Sequence, residues 1–258
     1  MVTLSIPISL TAAKVLAAVL IFALALIAGL LPIRLANTRQ HLISIADAFA
    51  GGVFLSASFL HMLPDALEGF HVALPNMAYP IALLVVMLTF FMLFVLEHSN
   101  LFIQREHSVE HRATTPYLLA LLLGVHSILE GAAIGINTHL ADAAVIFFAV
   151  LAHKGSESFA LAIKLYRYAV NTKQVVKVII LFACMTPLGI FIAMYACSIL
   201  QNNAALLAAA IFNALAAGTF LYIGAVHIIG EPDNIFCRCG MISLLSGMAL
   251  MAVVAIWV

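Results

Sequence analysis

Charge is what this chain has least of. Only 9% of its 258 residues are Lys, Arg, Asp or Glu, where an ordinary soluble domain carries about a quarter. No soluble fold could bury the apolar surface that remains. The eleven basic residues are balanced by eleven acidic ones and gather in no patch, so a nucleic-acid partner is not expected. No glycine-rich phosphate loop with its lysine is present, which argues against a nucleotide-driven pump. The four cysteines, Cys184, Cys197, Cys237 and Cys239, show no paired spacing, so no disulfide framework is implied. Polar stretches are also missing. Only the segment from His98 to Thr115 is long and strongly polar, and a single transmembrane domain over 1–258 is expected.

What fills the chain instead is hydrophobic: 65% of residues, with a mean hydropathy of +1.18. These are the values of a polytopic membrane protein. An all-α bundle of spanning helices is the expected fold, because backbone groups in hydrocarbon must be satisfied within their own segment. Windows of about 20 apolar residues are long enough to cross. Eight can be placed, at about 9–33, 43–64, 77–97, 116–137, 141–165, 175–199, 204–229 and 240–258. The first is too long for the core of a signal peptide, and no convincing cleavage site follows it. It is expected to be a span.

Orientation follows from the basic residues. Arg34, Arg39, Arg105, Arg112, Lys164, Arg167, Lys173, Lys177 and Arg238 all fall at turns on one side, while the opposite turns carry Asp65, Glu68 and Asp142. The basic side is expected to be cytoplasmic, which puts both termini outside. Two basic residues remain. Lys14 lies near the outer end of span one, and Lys154 lies inside span five.

Spans four and five each contain a histidine and a glutamate four residues apart, His126 with Glu130 and His153 with Glu157. That spacing puts both side chains of a pair on one helical face. Ionisable groups among such apolar neighbours are costly unless they face the protein interior, pair, or hold an ion. Two imidazoles and two carboxylates form a donor set suited to zinc or a similar divalent cation. Span two adds a third polar track. Asp47, Gly51, Phe54, Ser58, His61 and Asp65 recur at steps of three and four, so they share a face.

These residues carry a resemblance. His126-Ser127-Ile128-Leu129-Glu130-Gly131 resembles the span-four signature of the ZIP family of divalent-metal transporters, and His153-Lys154-Gly155 resembles the form found in its eukaryotic subfamily II. Gly51-Gly52-Val53-Phe54-Leu55 with Leu63-Pro64-Asp65, Thr186-Pro187-Leu188-Gly189 and Ala217-Gly218-Thr219-Phe220-Leu221-Tyr222 match further motifs in order. The resemblance covers essentially the whole chain. It implies import of zinc, and sometimes iron, manganese or cadmium, into the cytosol, with spans four and five forming the pathway. It assigns the main metal site to His126, Glu130, His153 and Glu157. It also implies a shift of spans one, four, five and six against the rest, and is compatible with a homodimer. The ion is cargo, so no resident cofactor is expected.

Some members of the family hold a second metal through an Asn and an acidic residue at the positions of Ser127 and Lys154. Here Lys154 is expected to stand where that second cation would, neutralising part of Glu130 and Glu157. Glu157 itself departs from close eukaryotic relatives, where the position is often uncharged, and points to a stronger site. Along span two, His61 and Asp65 would collect cations outside, Ser58 could approach the site, and Asp47 would receive the ion inside. The resemblance makes the loop after span three cytosolic and metal-binding, through His98, Glu106, His107, Glu110 and His111. Cys237 and Cys239, with His227 and Glu231, offer a weaker set on the same side. Protons should compete with metal for the His and Glu donors at low pH.

Two other classes remain open to the residues alone. A zinc-dependent intramembrane hydrolase would use similar donors to activate water, but needs a general base beside them. The spare carboxylates Asp47, Asp65 and Glu97 fall near span ends. A metal-sensing receptor without flux would look the same. No retrieval signal is visible at Ile256-Trp257-Val258, and the plasma membrane is expected over an intracellular one.

Overall fold

The structure is a computed structural model, described here over residues 9–35, 40–102, 114–167, 170–195, 203–230 and 238–256. Among these residues every regular element is helical. Helix α1 is Leu10–Leu35. Helix α2, Gln40–Ala57, runs through a π turn at Ser58–Met62 into α3, Leu63–Ala73. Then follow α4 (Ile81–Phe102), α5 (Thr114–Ile136), α6 (Leu140–Arg167), α7 (Thr172–Tyr195), α8 (Asn203–Gly230) and α9 (Arg238–Val254).

Each expected span is matched by a helix, if α2, the π turn and α3 are taken together. Six of the resulting helices are long and apolar enough to cross a membrane, and Ile81–Val95 and Arg238–Val254 are shorter apolar ones. A helix of 26 residues, such as α1, is about 39 Å long at 1.5 Å per residue. That exceeds a hydrocarbon layer of about 30 Å.

Span two differs most from its sequence window, continuing to Ala73 rather than ending near residue 64. Pro64 explains how. It has no N–H to offer the carbonyl four residues back, and its ring crowds that carbonyl. The helix widens just before it, where the Leu63 N–H bonds to the Ser58 carbonyl, five residues back. A π turn of this kind inserts one residue without ending the helix.

The helices pack in two groups. Helices α1, α5, α6 and α7 contact one another extensively, above all α5 with α7 and α1 with α6. Helices α2, α3, α4, α8 and α9 form the second group, led by α2 with α9 and by α8 with α3 and α4. Contacts between the groups are thinner and run mainly from α2 and α8 to α5 and α6. In each group the closest crossing is made by glycine. A Cβ on Gly131 of α5 would strike the Thr186 carbonyl of α7, and one on Gly189 of α7 would strike the Ile128 carbonyl. Gly52 of α2 and Gly247 of α9 stand likewise against the carbonyls of Leu244 and Phe49. Small residues allow this backbone approach where no water is present to drive apolar association. The Gly131-x3-Gly135 pair thus serves packing, since Gly135 faces the Ile190 carbonyl.

Candidate metal centre

Helix α5 carries His126, Ser127 and Glu130, and α6 carries His153, Lys154 and Glu157. All six side chains are at least nine-tenths buried, and those of Ser127, His153, Lys154 and Glu157 are fully so. Spacing of four brings each histidine toward its own glutamate, but the tightest approach crosses between helices. Glu130 Oε1 lies 2.5 Å from His153 Nε2 and 2.9 Å from His126 Nε2. Glu157 Oε1 lies 3.9 Å from His126 Nε2 and 3.8 Å from His153 Nε2. One donor atom from each of the four residues lies within 4.8 Å of the other three.

One hydrogen bond, between His153 Nε2 and Glu130 Oε1, leaves two of the four facing atoms free for a cation. His126 Nε2 is near Glu130 Oε1 yet makes no hydrogen bond, and Glu157 Oε1 is buried without any hydrogen-bond partner. An imidazole nitrogen and a carboxylate oxygen stand this close without repulsion only where a proton or a metal ion lies between them. In a tetrahedron with bonds of about 2.0 Å the donors stand about 3.3 Å apart. The four N···O separations, 2.5 to 3.9 Å, straddle that edge.

Lys154 occupies the other side of the carboxylates. Its Nζ donates to Glu157 Oε2 at 2.7 Å, Ser127 Oγ at 2.5 Å and Glu130 Oε2 at 3.3 Å. An ammonium has three donors, and each has its acceptor. Ser127 in turn donates to the Leu123 carbonyl at 2.6 Å, so its oxygen is oriented to accept. The ammonium also sits 4.6 Å from the centre of the Phe182 ring on α7, within the range of a cation–π contact.

The second group supplies an apolar wall and a third imidazole. Phe220 of α8 meets His126 edge-on at 5.7 Å between ring centres and His153 at 6.3 Å, and packs on Phe54 of α2 at 4.8 Å. The His61 ring, in the π turn, is 5.9 Å from that of His153. Its Nδ1 is 3.4 Å from Asp65 Oδ2, and the Asp65 side chain is 42% exposed. A path of increasing exposure therefore runs from His153 through His61 to Asp65.

Other residues singled out from the sequence lie elsewhere. The Ser58 hydroxyl donates to the Ala217 carbonyl of α8 at 2.8 Å, which ties α2 to its own group. Asp47 is buried and lies fourteen positions before His61, about 21 Å along a helix. His98 falls on α4, while Glu106, His107, Glu110 and His111 lie outside the described residues, as do Glu231 and Cys237. Cys239 is exposed at the start of α9. Lys14 is buried and donates to the Gly135 carbonyl at 2.6 Å, joining α1 to the end of α5. Phe220, Phe182 and the Lys14–Gly135 bond had no role assignable from the sequence. Nothing local marks them, because each is defined by a partner on a distant helix.

Comparison with known proteins identifies the family. A family model described as "ZIP Zinc transporter" matches residues 11–116 and 103–255. "Zinc transporter ZIP1" of Danio rerio is 30% identical, over 93% of this chain and 96% of that protein. "Zinc transporter ZIP2" of Homo sapiens is 27% identical, over 92% and 95%, and "Zinc transporter 11" of Arabidopsis thaliana is 29% identical, over 96% and 86%. These relatives are named as transporters, and the hydrolase alternative finds no support among them. By its sequence matches and its bundle of membrane-spanning helices, the chain belongs to the ZIP zinc transporter family.

Proposed function

We propose that the protein carries zinc into the cytosol, and that the ion is held in transit by His126, Glu130, His153 and Glu157. One observation carries this reading: four buried donors from two adjacent helices converge within 4.8 Å, and two of them, His126 Nε2 and Glu157 Oε1, have no hydrogen bond. Two nitrogens and two oxygens are a common ligand set for zinc. Water around the incoming ion is exchanged for these groups, so its lost hydration shell is replaced.

Lys154 sets the charge. Two carboxylates and one ammonium sum to −1 without metal and +1 with a divalent ion. The pocket attracts a cation without holding a full double negative charge in low dielectric, which would be costly. Asp65 and His61 form the outer approach, Asp65 at the exposed end and His61 beside His153. Asp47, at the other end of the same helix, receives the ion on the inner side. Basic residues at the turns on that side favour a cytosolic position for it, with both termini outside.

The two helical groups supply the movement. All four proposed ligands belong to α5 and α6, while His61, Phe54 and Phe220 belong to the other group. Sliding one group past the other would carry the site away from His61 and open it inward. A membrane potential, negative inside, assists by about 2.3 kcal/mol per charge per 100 mV, or roughly twice that for a divalent ion. No nucleotide is needed, and the plasma membrane provides such a potential.

Radiolabelled zinc uptake by reconstituted protein tests this reading, with cadmium, iron and manganese as competitors. Saturable uptake, lost in His153→Ala and Glu157→Ala, is the expected result. Zinc binding without flux would favour a receptor and reject transport.

A further inference from the structure

The carboxylates of the centre are divided oxygen by oxygen. Oε1 of Glu130 and Oε1 of Glu157 face the imidazoles. Oε2 of both is turned away and bonded to one ammonium, that of Lys154. Lys154 is itself immobilised. It is fully buried, its third donor is taken by Ser127, and Phe182 closes over it. Free to rotate, each glutamate could present both oxygens to a metal, as carboxylates do around large cations. Tied at Oε2, each offers one.

We propose that Lys154 determines metal specificity by holding both glutamates to one oxygen each, so that the centre offers two nitrogens and two oxygens and no more. This rests on the four-donor reading of the site and adds to it a cause of selectivity separate from net charge. A four-coordinate set of this kind matches zinc. It serves poorly the ions that want six or more oxygen-rich ligands, such as manganese and calcium. Ser127 and Phe182 are positioning residues for the ammonium.

Cobalt(II) provides the test, because four-coordinate cobalt absorbs visible light far more strongly than six-coordinate cobalt. Purified wild-type protein titrated with cobalt is expected to give the intense spectrum. Lys154→Met keeps an unbranched side chain as far as Cε and removes the ammonium. It is expected to give a weak, higher-coordinate spectrum, with the preference for zinc over manganese in competition binding reduced about tenfold, the lower range for loss of a group that orients metal ligands. An intense spectrum and unchanged preference in Lys154→Met would overturn the proposal. Should that variant not fold, X-ray absorption on zinc-loaded wild-type protein decides instead. Two nitrogens and two single carboxylate oxygens support it, and either glutamate binding through both oxygens overturns it. A wild-type cobalt spectrum unaffected by His153→Ala would overturn the four-donor reading itself, whatever Lys154 does.

Discussion

The two helical groups bury very different side chains. In α1, α5, α6 and α7 the buried set includes Lys14, His126, Glu130, His153, Lys154, Glu157 and Lys164. In the other group the buried polar residues among those described are mostly hydroxyls, namely Ser56, Ser58, Thr89 and Thr219, with Asp47 the charged exception. These hydroxyls bond backbone carbonyls within their own group: Ser56 to Met248, Ser58 to Ala217, Thr89 to Val85 and Thr219 to Leu215. One group stores charge, and the other ties its buried hydroxyls to its own backbone and presents an aromatic wall. Backbone-to-backbone contact through glycine occurs inside each group, at Gly131–Thr186 and Gly52–Leu244. The surface between them is made of side chains such as Phe220 against His126. Rigid units separated by a side-chain interface are what relative sliding requires.

Substitutions can break or sharpen that contrast. The largest difference is expected between ligands and approach. His153→Ala and Glu157→Ala should reduce zinc uptake to background, whereas His61→Ala, on the other group, should slow uptake while leaving zinc affinity of the centre within a few-fold. Equal loss in all three variants would erase the distinction. Next comes Lys154→Ala. Removing one partner of a buried ion pair costs about 3–5 kcal/mol, so the metal-free protein should unfold at markedly lower temperature in detergent. Zinc should recover part of the loss, since the ion then balances the same carboxylates. A variant as stable as wild type without metal would contradict the charge account.

Glycine substitutions should act alike in both groups. Gly131→Val and Gly52→Val each drive a side chain into a carbonyl, and overpacking of this sort costs about 1–3 kcal/mol. Thermal unfolding should show similar losses for the two, because both sites hold a group together rather than bind cargo. The smallest effect is expected for Lys14→Met. It removes a charge-assisted bond to the Gly135 carbonyl worth about 1.5 kcal/mol net, the low end for a charged donor, and should lower stability modestly with transport retained.

The spans were legible because apolar length is a direct reading of bilayer thickness, and each window met a helix. The His–Glu pairs were legible because their spacing is set by one helix. Relations between helices were less so. Spacing alone could not reveal that Glu130 lies nearer His153 than its own-helix partner His126, that Oε2 of both glutamates is reserved for Lys154, or that Phe220 abuts both imidazoles. Ser58 shows the converse. Its place on the polar face suggested an approach to the site, yet its hydroxyl is committed to Ala217. The π turn was hidden as well, although Pro64 was its signal. A proline in an apolar run reads as a stop, and only packing of α3 against α8 decides that the helix widens and continues.

Zinc crossing the membrane in the grip of these four side chains is the central proposal. Its most direct test is the initial rate of zinc uptake into proteoliposomes held inside-negative, for wild type and Glu157→Ala at equal protein density. Uptake by the wild type with background rates for the variant is the predicted result. A variant that transports zinc as fast as wild type would contradict it.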